Sequence, residues 1–162
     1  IYCGYREDEN SVKQCFDWNN NILHIVDLND NIFYLNLKGL KTIVTGKSAT
    51  GKSLLCSVIR EIQKDKNIAG KKYDASNIFL IDEDNLHNID DKKDKLIIID
   101  RADIILDSEA IHMINNDWGY NKYLIFSRKP LGIDLSPNYF AVLEEKDKAF
   151  SLNYLFDVKG WN

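Results

Sequence analysis

Apolar positions in this chain fall into short runs with two different periods. Ile22-Leu23-His24-Ile25-Val26 and Ile32-Phe33-Tyr34-Leu35 are rich in strand formers and are split by the turn cluster Asn29-Asp30-Asn31, which predicts a β-hairpin over 22–37. Lys38-Gly39 leads into a further strand, Leu40 to Thr45. Behind it Leu54, Leu55, Val58, Ile59 and Ile62 recur at helical spacing, so a helix is expected to run to about Lys66 and dissolve in 67–70. Ile78 to Ile81, Leu96 to Ile99 and Tyr123 to Phe126 are continuous apolar runs of strand length, the pattern of strands covered on both faces in a parallel sheet. Between the first two of these runs the only apolar points are Leu86 and Ile89, enough for a short crossover helix at best. A helix capped by Asp107 or Ser108 carries Ile111, Met113, Ile114 and Trp118. Tyr139 to Leu143 and Ala149 to Phe156 flank Glu145-Lys146-Asp147-Lys148 and predict a second hairpin at the sheet edge. Residues 1–21 are weakly patterned, with one short strand expected around Ile1 to Tyr5.

Together these elements predict an α/β fold. A mainly parallel, helix-covered sheet carries antiparallel hairpins at its N- and C-terminal ends. No repeat or linker divides the chain, so one domain is expected over 1–162, with a hairpin at 22–37, a core at 40–128 and a hairpin at 139–156. Its 162 residues, 44% hydrophobic and 28% charged, suit a single globular core. The net charge of −4 supplies no basic field, so charge does not support nucleic acid as a partner. Cys3, Cys15 and Cys56 form no C-x-x-C and no paired framework, and read as reduced thiols of a cytoplasmic protein. Neither an export signal nor a membrane span is expected, because no apolar run has the necessary length. His24 reads as a packed or edge histidine, since neither of the other two histidines lies at metal spacing from it.

The chemistry concentrates at Gly46-Lys47-Ser48-Ala49-Thr50-Gly51-Lys52-Ser53, which fits G-x-x-x-x-G-K-[ST] at every fixed position and stands between a strand and a helix. Glycines allow backbone N–H groups to turn inward around an anion. The helix N-terminus adds unpaired donors and the positive end of its dipole. Lys52 would supply charge to the β and γ phosphates, and Ser53 a hydroxyl to Mg²⁺. The candidate nucleotide contacts are therefore Gly46, Lys47, Ser48, Ala49, Thr50, Gly51, Lys52, Ser53 and Leu54. The bland alternative is a serine-capped helix after a glycine turn.

This segment resembles the Walker A loop of the P-loop NTPase superfamily, and Leu96-Ile97-Ile98-Ile99-Asp100 resembles its Walker B strand. The resemblance covers roughly Leu40 to Arg128. It implies ATP and Mg²⁺ as ligands, with Ser53 and Asp100 holding the metal. In additional-strand ATPases of this superfamily the strand beside Walker B ends in a polar sensor of the γ-phosphate; Ser127 matches it, and Arg128 offers a cation there. Other branches fit less well. The guanine motif and the ABC signature are missing, and the four arginines do not cluster into a kinase-like lid. The main departure concerns hydrolysis, because Arg101 follows Asp100 where most additional-strand ATPases have a glutamate that activates water. Asp103 and Glu83 are the substitutes within reach of the pattern. The candidate catalytic set is therefore Lys52, Glu83, Asp103, Ser127 and Arg128. The expectation is a weak or partner-activated ATPase, a protein partner or second copy completing the site with an arginine; Arg6 and Arg60 are the candidate donors. The alternatives are a nucleotide-dependent switch with little turnover and, further off, a small-molecule phosphotransferase.

Overall fold

Alternation of buried and exposed residues builds the first part of the sheet. The computed structural model describes residues 12–45, 49–64, 73–117, 119–129, 131–133 and 139–155; the strand expected at Ile1 to Tyr5 falls outside them, as does Trp118. After the short strands β1 (Lys13–Gln14) and β2 (Phe16–Asp17) come β3 (Ile22–Val26) and β4 (Ile32–Asn36). Leu23, Ile25, Phe33 and Leu35 point inward while His24, Val26, Ile32 and Tyr34 face out, and the antiparallel register sets Leu23 opposite Leu35 and Ile25 opposite Phe33. The turn is held by Asp27, whose Oδ1 accepts from the backbone N–H groups of Asn29 and Asn31 at 2.9 and 2.8 Å.

The remaining elements follow in order as β5 (Lys41–Thr45), α1 (Ala49–Lys64), β6 (Tyr73–Asp74), β7 (Ile78–Ile81), a 3-10 helix (Leu86–Asp91), β8 (Leu96–Ile99), α2 (Ala102–Ile105), α3 (Ser108–Asn115), β9 (Lys122–Phe126), β10 (Phe140–Lys146) and β11 (Ala149–Tyr154). Nine strands form one sheet in the order β2-β3-β4-β11-β10-β5-β9-β8-β7. Neighbours β10, β5, β9, β8 and β7 run parallel, β4 is parallel to β11, and the pairs β2/β3, β3/β4 and β10/β11 are antiparallel.

This overturns the predicted fold class. The sheet is mixed and nearly closed on itself, with few helices, and is not a mainly parallel, helix-covered sheet with hairpins at its two ends. The reason lies in β10 and β11. Instead of forming an edge, that hairpin inserts between β4 and β5 and pairs in parallel with both, which fuses the N-terminal hairpin into the same sheet. Twist accumulates from strand to strand, and here the two edges meet. Cys15 N–H donates to the Asp74 carbonyl at 3.0 Å, Asn77 Nδ2 to the Phe16 carbonyl at 2.9 Å, and β1 pairs in parallel with β6 across the seam.

The curl encloses α1. Leu55, Cys56, Ile59 and Ile62 pack against Leu23, Ile25, Phe33 and Leu35 from the hairpin and against Val44, Ile98, Leu124 and Phe126 from the parallel strands. On the opposite face of those parallel strands, Ile43, Ile97, Ile99 and Ile125 are covered by Leu86 and Ile89 of the 3-10 helix and by Ala110 and Ile114 of α3. Among the described residues no helix is long and apolar enough to cross a membrane.

Candidate functional site

Register brings the singled-out residues to one end of the sheet. Val44 pairs with Phe126, Ile125 with Ile99, and Ile99 with Ile81. The carboxyl ends of β5, β9, β8 and β7 are therefore level. The residues just beyond these ends include Ser127, Asp100 and Asp82, and α1 starts from the same end, four residues after Thr45.

Gly46, Lys47 and Ser48 lie outside the described residues; Ala49 and Thr50 begin α1. Lys52, in the first turn of α1, is 7% exposed. Its Nζ stands 6.0 Å from the centre of the Phe126 ring at the end of β9. Burial holds this ammonium below the usual lysine range, partly offset by the attraction of Asp100 and Asp103, with Arg128 pushing it further down. Asp100, Asp103 and Arg128 thus all lie within electrostatic reach of Lys52. Ser53 is exposed, and Leu54 is half-buried against the core.

Gly51 has a packing reason of its own. A Cβ there would lie 2.8 Å from both Leu143 Cδ2 and Phe150 Cε1, and Phe150 is fixed by stacking on Phe33 with ring centres 4.6 Å apart. This glycine lets α1 approach the β10/β11 hairpin, whatever the loop before it binds.

The candidate polar groups differ in how far they are already engaged. The Asp103 side chain is 5% exposed; its Oδ1 accepts from the Arg128 backbone N–H at 3.3 Å, and its Oδ2 is 3.8 Å from Arg128 Nε. The Ser127 hydroxyl is buried and donates to the Lys129 carbonyl at 2.6 Å, which commits it to the local turn. Glu83 is different. With Arg60, Asp82, Asp84, Asp100 and Arg101 it lines an open cleft of about 270 Å³ between the ends of β7 and β8. Asp82 braces the loop there, its Oδ1 accepting from the N–H groups of Asp84 and Asn85 at 2.9 and 3.0 Å.

Arg101 occupies the left-handed region, at φ 52° and ψ 48°. Non-glycine residues adopt it rarely and at a cost. Arg60 was singled out as a donor to a neighbouring copy; in this chain it already lines the cleft beside Asp100. Arg6 lies outside the described residues.

One cluster had no local signal in the sequence. His87 Nε2 lies 2.8 Å from Asp107 Oδ2 and 3.0 Å from Glu109 Oε2. The residues are some twenty positions apart, and only the packing of the 3-10 helix on α3 brings them together.

The chain matches no family model, and no curated protein or solved structure matches it significantly.

Proposed function

We propose that the chain binds ATP with Mg²⁺ at the N-terminal end of α1, and that it hydrolyses the nucleotide slowly or when a partner completes the site. The observation that carries this reading is the buried Lys52, set at the level strand ends within electrostatic reach of Asp100 and Asp103. A buried ammonium held below its usual range gains from an arriving phosphate, whose negative charge favours the charged form. In the sheet, β9 stands between the strand leading to the loop and the strand ending in Asp100, which places Ser127 between them.

The donor set suits the metal. Ser53 and Asp100 offer oxygen ligands, as Mg²⁺ prefers, and leave room for the waters it retains. When bound, the ion neutralises charge on the phosphate oxygens. The chain's own residues do the rest: Lys52 binds and orients, Asp103 holds Arg128 by its backbone and guanidinium, and Glu83 lines the cleft beside Asp100 with Asp84 and with Asp82, which is taken up in bracing the loop. Glu83 is therefore assigned as the group that orients water, in place of the glutamate for which Arg101 stands.

Binding is read first. Mg-ATP at about 100 times its dissociation constant should add about 2.7 kcal/mol to folding stability, a rise of several degrees in the melting temperature. Lys52→Ala should lose that rise. Absence of any Lys52-dependent shift with ATP or GTP overturns the reading. Phosphate release by the wild type, compared with Lys52→Ala and Glu83→Gln, then separates turnover from binding. Release no faster than the Lys52→Ala background, with binding intact, establishes the second reading, a nucleotide-dependent switch. That reading is favoured by the engagement of Asp103 and Ser127 in local contacts.

A further inference from the structure

Outside the candidate phosphate site, the 3-10 helix and the start of α3 bring one nitrogen and two oxygen donors together. His87 Nε2, Asp107 Oδ2 and Glu109 Oε2 all lie within 4.8 Å of one another. From this geometry we propose a second, separate metal site, for a borderline transition ion such as Zn²⁺.

The chemistry of the donors selects the class of ion. Mg²⁺ and Ca²⁺ favour all-oxygen shells, whereas an imidazole nitrogen with two carboxylates suits Zn²⁺. Three protein ligands leave the fourth position of a tetrahedron to water. Around Zn²⁺ with bonds of about 2.0–2.1 Å, ligand atoms sit roughly 3.3 Å apart. The present separations of 2.8 and 3.0 Å therefore need to open by about half an ångström or less.

Two of the ligands are held from behind. Asp107 Oδ1 accepts from the Ala110 N–H at 2.8 Å as the N-cap of α3, which fixes the carboxylate and aims Oδ2 at His87. Such outer contacts orient metal ligands. His87 belongs to a 3-10 helix anchored by the buried Leu86 and Ile89. Without an ion, the single Nε2 position of His87 faces two carboxylates; a dication at the centre would answer both. His87 and Asp107 are about half exposed and Glu109 is more exposed still, so an ion can enter from solvent.

The test uses the full chain, without nucleotide, in millimolar Mg²⁺, so that hard-cation sites are already satisfied. Zn²⁺ is titrated calorimetrically, and Co²⁺ serves as an optical probe. One equivalent of Zn²⁺ should bind, and Co²⁺ should give the intense visible bands of four-coordinate geometry. His87→Ala and Glu109→Gln should each weaken binding roughly ten-fold or more. Asp107→Asn should do so as well, and because asparagine caps helices about as well as aspartate, its loss is read against an intact α3. Circular dichroism confirms that each variant folds; Glu109→Gln, at a solvent-facing position, keeps the test open if His87→Ala does not. No binding by the wild type, or equal binding by wild type and the Glu109→Gln and Asp107→Asn variants, overturns the site and leaves the cluster a plain ion pair.

Discussion

Lys52 and the two buried cysteines show how single residues carry the cost of their surroundings. Because burial outweighs the pull of Asp100 and Asp103 on Lys52, its charge is a net burden on the folded chain. Lys52→Met, which keeps the stem and drops the charge, should melt no lower than the wild type without nucleotide while failing to gain from ATP; thermal melts with and without Mg-ATP check both halves. Cys15 and Cys56 are pushed from an ordinary 9.0 to about 12, mainly by burial. From pH 9 upward the unfolded chain therefore releases protons that the folded chain retains. The stability these thiols contribute is complete below pH 9 and is lost as the pH rises toward 12. Urea midpoints should fall from pH 8 to pH 10, and fall less in a Cys15→Ala, Cys56→Ala chain. Neither thiol should react with a disulfide reagent at pH 8 until the protein unfolds.

Among the elements, α1 depends on a missing side chain. Gly51→Ala would force a methyl group into Leu143 and the stacked Phe150, an overpacking worth about 1–3 kcal/mol. Chemical denaturation should read that loss, and nucleotide binding should weaken with it, since the same turn carries Lys52. What could be read from the sequence divides by distance along the chain. The alternation of Leu23, Ile25, Phe33 and Leu35 states its own partner, because the two strands are joined by a short turn. Asp107 likewise announces the start of α3, whose third residue it caps. The seating of β11 beside β4 had no such signal. A strand of alternating character has two hydrogen-bonding sides, and nothing in Ala149 to Tyr154 says that Ala149 will face Ile32. The strand ends carrying Asp100 and Ser127 were legible as positions, whereas the cleft partnership of Arg60 with Glu83 depends on the rotation of α1 inside the curl.

For the whole molecule, the seam decides stability at the edges. Asn77 sends Nδ2 to the Phe16 carbonyl, while its Oδ1 has no hydrogen-bond partner among the described residues. Asn77→Ala removes one bond and one orphan acceptor together, so the net loss should be small, about 1 kcal/mol. Its effect should be local. Amide exchange should quicken in β1, β2, β6 and β7, with the β5/β9 pair left as slow as in the wild type.

The insertion of β10 and β11 between β4 and β5 also governs how the protein can be made. Strands four residues apart in the chain, β4 and β5, never touch as sheet neighbours, and the segment that joins them is synthesised after both. A nascent chain still on the ribosome holds two open edges until residues 140–154 emerge. These edges are unpaired backbone in search of a partner, the situation that invites pairing between chains. A chain stopped before Phe140 should therefore aggregate where the longer one folds, and the full chain should fold slowly, as contacts between distant segments dictate. The last hairpin is the keystone, and the rest of the sheet waits for it.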